Sequence, residues 1–427
     1  MAPPIAITGL VLATLFSFPS IAAADAPAVE SFLLKGRLAD GAESLQEAIR
    51  LNPDDQQARF SLGVVQFLQA VEGLGRDQYR YGLLAGRGRA LPFMRLPIGE
   101  NEDPEQVSYQ KARQILIDLQ QRLRQAEQTL AAIKASGVKL PLKIADAKLD
   151  FNGDGIGTDS ESVWAVMQTL QQTARNQELP PTPDMTITFD DADAVWLRGY
   201  CHVLLALSDM VLAYDWQDQF ERTAHLFYPN VDSPYEFLAE EGTGQFWGFN
   251  GQNILDLIAW LHTVNYEVTE PDRMRSALDH METVIRLSRR SWELIQTETD
   301  DENEWIPNEK QTAAIPGLQV AQQVITGWHE FLDELEAILA GKKLVPFWRG
   351  IRGGFGPWDQ NFPRNPKLGL NVRRMFTEPT RFDLALWAQG TALVPYLEEG
   401  DIIEPKEWQT MMEQFRGNFF QFALWFN

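Results

Sequence analysis

One cysteine, Cys201, stands in 427 residues. A single thiol excludes an intramolecular disulfide and any cysteine-based zinc site. Left alone in an oxidising compartment, it reads as a small buried hydrophobe. Basic residues are also scarce: 37 Lys+Arg against 59 Asp+Glu leave a net charge of −22. A nucleic-acid partner needs a basic face for its phosphates, so that class is excluded. The five histidines form no HExxH pairing, no Gly-x-Ser-x-Gly elbow stands out, and GGFG lacks the GK[ST] ending of a phosphate loop. Beyond residue 24 no uninterrupted apolar stretch is long enough to read as a membrane span; the segment 190–214 is broken by Arg198, His202 and Asp209. Sustained strand alternation is missing too, which makes the expected fold class all-α. What is present, 44% apolar and 22% charged residues, describes an ordinary globular chain. At about 100–200 residues per domain the length allows two or three domains.

Residues 1–24 carry no charge, contain the apolar run Ile5–Phe18, and end in Ala22-Ala23-Ala24 before Asp25. A short apolar run followed by an Ala-x-Ala pattern reads as a cleaved secretory signal. The expected location is therefore periplasmic or secreted, with no transmembrane span after signal cleavage. Four segments follow: the signal at 1–24, a helical segment at 25–100, a long helix with a metal-binding loop at 101–177, and a C-terminal helical domain at 190–427.

In Gly41–Asp55, GAESLQEAIRLNPDD, Ala48 and Pro53 occupy the end of a second helix, and Ala58, Leu62 and Gly63 follow in register in the next one. Small residues allow helices to cross closely and the proline stops a helix. With Gly36 at a turn, residues 27–70 resemble one and a half tetratricopeptide repeats. The resemblance implies helical hairpins and a protein or peptide partner bound on a concave face. About three repeats are needed for a self-supporting stack, so this piece is expected to pack on helices downstream.

Asp103-Pro104-Glu105 is a helix-start signal, and Ala112, Leu116, Leu119, Leu123, Ala126, Leu130 and Ile133 step by four and three. The spacing predicts one long helix ending near Gly137. Two further seams run from Met274 to Ile295, including Ser288 and Trp292, and from Val320 to Ile338, including Trp328. Residues 190–214 predict a nearly all-apolar helix capped by Asp190 or Asp191. Its Arg198, His202 and Asp209 fall on one face, and such a stripe reads as a satisfied buried network before it reads as a catalytic base. Three prolines within 178–189 mark a boundary.

Asp150-Phe-Asn152-Gly-Asp154-Gly155-Ile-Gly-Thr158-Asp-Ser-Glu161 resembles the calcium loop of an EF-hand. Calcium takes six to eight oxygens from loop positions one, three, five, seven, nine and twelve, with glycine at the sixth. Those positions are Asp150, Asn152, Asp154, the Ile156 carbonyl, Thr158 and Glu161, with Asp159 the substitute for Glu161 and Gly155 at the turn. Gly157 fills the eighth position, where a branched aliphatic is usual. The expected cofactor is one structural Ca2+ that pins the long helix to the helix beginning near Ser160.

Segment 341–375 reverses the charge: eight Arg and Lys between Lys342 and Arg374, against Asp359 alone, are interleaved with Phe347, Trp348, Phe355, Trp358 and Phe362. Arg349, Arg352, Trp358, Arg373 and Arg374 are the residues placed to hold a small anionic or sugar ligand by pairing and stacking. The competing reading is that these loops dock on acidic helix surfaces. Arg76, Arg80, Arg87, Arg89 and Arg95 form a second basic stretch. Glu240 and Glu241, before GTGQFWGFNGQN, offer a carbohydrate-type catalytic acid, which needs a second carboxylate about 5–10 Å away. The leading expectation is an exported calcium-binding helical protein with a protein-binding or scaffold role. The alternative is a carbohydrate-active or other hydrolase or lyase with a cleft in the C-terminal half.

Overall fold

Helix-forming stretches and short breakers alternate along the chain, and the computed structural model follows them. It describes residues 28–84, 94–134, 137–171, 186–239, 245–246, 249–314, 320–347, 368–404 and 413. The helices are α1 (Glu30–Leu33), α2 (Leu38–Leu51), α3 (Gln56–Arg80), α4 (Tyr109–Ala131), α5 (Val163–Gln171) and α6 (Asp191–Leu212). They continue with α7 (Gln217–Thr223), α8 (Gly251–Thr263), α9 (Pro271–Thr297), α10 (Gln322–Leu339), α11 (Val372–Thr377) and α12 (Leu384–Gln389). The fold is mostly α, with small sheets added. The signal-like segment 1–24 lies outside the described residues.

Among the described residues the one four-residue antiparallel pair joins β1 (Lys139–Leu142) to β2 (Ile187–Asp190), with Lys139 opposite Asp190. Leu140, Leu142, Ile187 and Phe189 point into the core from this pair. An alternation over four residues is too brief to register as a strand in a window of helical length, which is why an all-α reading missed it. A second departure concerns α4. It begins at Tyr109, capped by the Ser108 hydroxyl accepting from Lys111 N at 3.2 Å, not at Asp103. Pro104 instead packs over Gly82, whose φ is +68°, and Glu105 N donates to Arg80 O. The start signal at 103–105 is thus spent on docking the connection against the end of α3.

Helix α6 lies between α4 and α9. By length and composition it is apolar enough to cross a membrane, but its apolar face is packed on protein: Cys201 and Leu205 meet Leu119, Leu123 and Ala126 of α4 and Ala70 of α3. Each fully buried leucine there contributes about 1.5–3 kcal/mol, enough to carry a polar stripe on the same helix. The predicted seams of α9 and α10 pack against each other. Trp328 Nε1 donates to Ser288 Oγ at 2.9 Å, so the one hydroxyl in an apolar seam satisfies the one indole opposite it.

Helices α2 and α3 form a hairpin, with Gly36 at φ +66° in the preceding turn. Asp55 caps α3 by accepting from Ala58 N at 2.8 Å. Helix α3 then continues for 25 residues to Arg80. Gly63 sits beneath Leu130 of α4, where a Cβ would fall 2.4 Å from a leucine methyl. The close crossing that the glycine allows is therefore made with α4.

Candidate functional site

Asp150 opens a loop whose ends are stitched together. Leu149 N donates to Glu161 O at 3.0 Å, and Val163 N donates to Ala147 O at 2.8 Å. Gly153 and Gly155 take φ of +75° and +83°, the left-handed conformation that turns their N–H groups inward. Both donate to the Asp150 carboxylate, at 2.8 and 3.1 Å. Asp154 N donates to Asn152 Oδ1 and Ile156 N to Asp154 Oδ1, so the polar side chains cradle successive peptides. Glu161 is buried; it accepts from Phe151 N, Thr158 N and the Thr158 hydroxyl. Asp159 is exposed and pairs with Lys148 at 2.9 Å. Gly157 faces the Gly36 turn, and a Cβ on it would lie 2.6 Å from Lys148 Cβ. That crowding accounts for glycine at the eighth loop position.

The loop is anchored to α3, which corrects the expected partner. Helix α4 ends at Ala131, and β1 and the turn after it intervene before Asp150. Arg76 of α3 donates to Asp150 O and Asp150 Oδ2, both at 2.7 Å, and reaches Glu72 Oε1 at 2.9 Å. Glu72 accepts from Asp150 N. Burial raises the Glu72 carboxyl above its usual range; Asp150 N and Arg76 draw it back, while Asp150 and Glu161 push it further up. Phe151 fills the space over Gly75, where a Cβ would lie 2.1 Å from its ring. Two buried carboxylates, Glu72 and Asp150, thus share the Arg76 guanidinium, and a third, Glu161, is close enough to raise Glu72.

The three polar residues predicted on α6 are brought together, each with partners from neighbouring helices. Arg198 pairs with Glu127 of α4 at 2.9 Å. His202 Nδ1 meets His280 Nδ1 of α9 at 2.8 Å, and Asp209 accepts from Gln120 at 2.7 Å and from Arg273 at 2.9 Å. The His202 hydrogen bond and Arg198 hold Glu127 below the usual carboxylate range. Burial pushes the Cys201 thiol far up, which leaves it inert.

Of the predicted ligand-binding residues, Arg349, Arg352 and Trp358 lie outside the described residues, as do Arg87, Arg89, Glu240 and Glu241. Arg373 pairs with Glu282 of α9 at 3.1 Å and donates to Leu339 O. Arg374 pairs with Glu378 at 2.7 Å. Both guanidinium groups are engaged by the protein's own acceptors.

Sequence reasoning missed a fourth cluster. Asp190, Glu298 and Glu304 bring carboxylate oxygens within 4.8 Å of one another, and among the described residues this is the group so converged. Asp193 is buried beside them and accepts from Asp190 N at 3.0 Å. Phe60, Phe189, Trp196 and Trp305 interlock at ring distances of 5.5–6.2 Å and pull the segment after α9 onto the start of α6. Glu304 precedes Trp305 and is carried inward with it. Burial raises Asp190 and Glu304, and raises Asp193 well above the usual range. Burial and then the Asp190 charge push Glu298 to about 8. The group holds enough oxygens for a divalent ion, or a proton at neutral pH. Two acidic runs, Asp190–Asp193 and Glu298–Glu304, were the only trace of it in the sequence.

No family model matches the chain, and no curated protein or solved structure is significantly similar to it.

Proposed function

We propose that the chain is an exported helical docking protein, with its partner face on α8 and its N-terminal half fastened by calcium in the loop Asp150–Glu161. One observation carries the docking reading: Leu255, Leu257, Ile258 and Leu261 of α8 are 47–62% exposed, beside Ile254. Leu386 of α12, which packs on α8, is exposed next to them. An exposed apolar cluster of this kind marks an interaction surface, because water-facing leucines gain by being covered. The tetratricopeptide-like part, by contrast, exposes only Leu51 and Leu84 among its described large apolar side chains. A photo-crosslinking residue at Ile258 tests the reading in cells. A discrete protein adduct from position 258, lost in the Leu255→Glu variant, is expected; an adduct from position 59 on α3 in its place would move the face back to the hairpin.

The calcium reading rests on the inward peptides of Gly153 and Gly155 and on two more buried negative charges than Arg76 can balance. Millimolar calcium is expected to release heat in calorimetry and to raise the melting temperature, and Asp150→Asn to abolish both. Arg76→Gln removes the internal cation and should deepen the dependence on calcium. No response in either the wild type or Arg76→Gln would show that the guanidinium alone holds the loop.

A second reading, the hydrolase or lyase, draws support from Glu298, a carboxyl that keeps its proton at neutral pH as a general acid must. Hydrolysis of a polysaccharide fragment by the wild type, lost in Glu298→Gln, would put this reading first.

A further inference from the structure

His202 of α6 and His280 of α9 meet through the same ring nitrogen, Nδ1 to Nδ1, at 2.8 Å. Their ring centroids are 4.9 Å apart with planes inclined at 49°. The opposite nitrogens both face carboxylates: His202 Nε2 lies 3.6 Å from Glu127 Oε1, and His280 Nε2 lies 3.8 Å from Asp209 Oδ2. Asp209 is 1% exposed, and that Oδ2 has no hydrogen-bond partner. The other oxygen is already taken by Gln120 and Arg273.

Proton counting decides what this arrangement needs. Each imidazole nitrogen presents either a proton or a lone pair. A 2.8 Å contact between two Nδ1 atoms requires one proton between them. Were both rings neutral, the ring donating through Nδ1 would turn a bare Nε2 lone pair toward a buried carboxylate. A third proton removes that conflict: both Nε2–H groups then face carboxylates, and one Nδ1–H bridges the rings. A tetrahedral metal with ligands at about 2.0–2.1 Å would hold its nitrogens roughly 3.4 Å apart, so the observed spacing suits a proton better than an ion.

We propose that His202 and His280 hold three protons on their four ring nitrogens at neutral pH, one of them shared, and that a fourth proton in acid drives α6 and α9 apart. The groups facing the pair make it a closed account. Helix α4 contributes Glu127 and Arg124, α6 contributes Arg198, Cys201 and Asp209, and α9 contributes Arg273 and Asp279. Burial, then the charge of His202, lowers the affinity of His280 for a further proton, with Asp209 opposing and Arg124 assisting. The fourth proton would set two imidazolium rings at hydrogen-bond distance with no acceptor between them.

The sign of the pH effect follows. An unfolded histidine takes up its proton near pH 6.5, which native His280 refuses, so stability falls as pH drops below that value. One proton of difference changes the unfolding constant up to tenfold per pH unit.

Nitrogen-15 ring spectra of the full chain carrying H225Q, H262Q and H329Q leave only the pair visible. At pH 7 one doubly protonated ring and one ring protonated only at Nε2 are expected. Two neutral rings, or two bare Nδ1 atoms that shift together on adding zinc, would overturn the proposal. Denaturant unfolding at pH 7 and pH 5.5 gives a second reading that does not depend on those variants. The unfolding constant of the wild type should rise by several-fold more on acidification than that of His280→Gln, and equal slopes would also overturn it.

Discussion

Helix α6 carries two polar clusters that burial treats in opposite ways. Along its middle, Arg198 and Asp209 meet Glu127 and Arg273, each charge finding an opposite one on a neighbouring helix, and His202 meets His280. At its N-terminus, Asp190 and Asp193 meet Glu298 and Glu304, and like charges are packed together. The helix dipole favours anions at that end, and the peptides of Ala192 and Asp193 donate to Asp190. Those contributions do not offset burial and repulsion: Asp190 and Glu304 are raised, Asp193 is raised well above the usual range, and Glu298 to about 8. Lys139 is close by, but it binds Asp300 and Glu302. Buried charge is stable here where a facing helix supplies the counter-charge, and it is neutralised by a proton where none does.

Removing one partner from the balanced cluster should have the largest effect. Arg273→Ala leaves Asp209 buried with less than its charge balanced, and a loss of about 3–5 kcal/mol is expected in chemical denaturation. A loss below 1 kcal/mol would show that the network is redundant and would erase the contrast. The crowded cluster should respond the other way. Its carboxyls bind protons more tightly folded than unfolded, so stability falls as pH rises from about 4.5 towards 8. Glu298→Gln should flatten that fall and gain roughly 1–2 kcal/mol at pH 8, since each pKa unit corresponds to about 1.4 kcal/mol before solvent screening. Measured together with His280→Gln, it separates two pH effects of opposite sign. The smallest change is expected from Lys139→Ala. Its pairs with Asp300 and Glu302 are about half exposed, and such pairs contribute about 0–1 kcal/mol. A larger loss would mean that Lys139 does compensate the acidic cluster.

How much of this was legible in the chain varies with the distance over which each feature is built. The α6 cap at Asp190, the seams of α9 and α10, and the burial of Cys201 followed from periodicity and residue type. The acidic loop was legible as a loop because its glycines and Asx residues act on peptides two to five positions away. Its anchor was not, since Glu72 and Arg76 lie far upstream and look like ordinary helix-surface residues. The start of α4 was misread at Asp103 because a proline after an aspartate also suits a docked connection.

Local chemistry alone determined that the chain is largely helical, where α6, α9 and α10 run, and which residues crowd oxygen into the loop after Leu149. Those outcomes depend on backbone preferences and side chains within a few residues of each other. Only the tertiary structure decided which charges meet: the α3 guanidinium on Asp150, the two imidazoles face to face, and four acids gathered under Trp305. Pairing across 74 to 114 residues is set by which apolar faces bury against each other, and the charged groups are carried to wherever that packing leaves them.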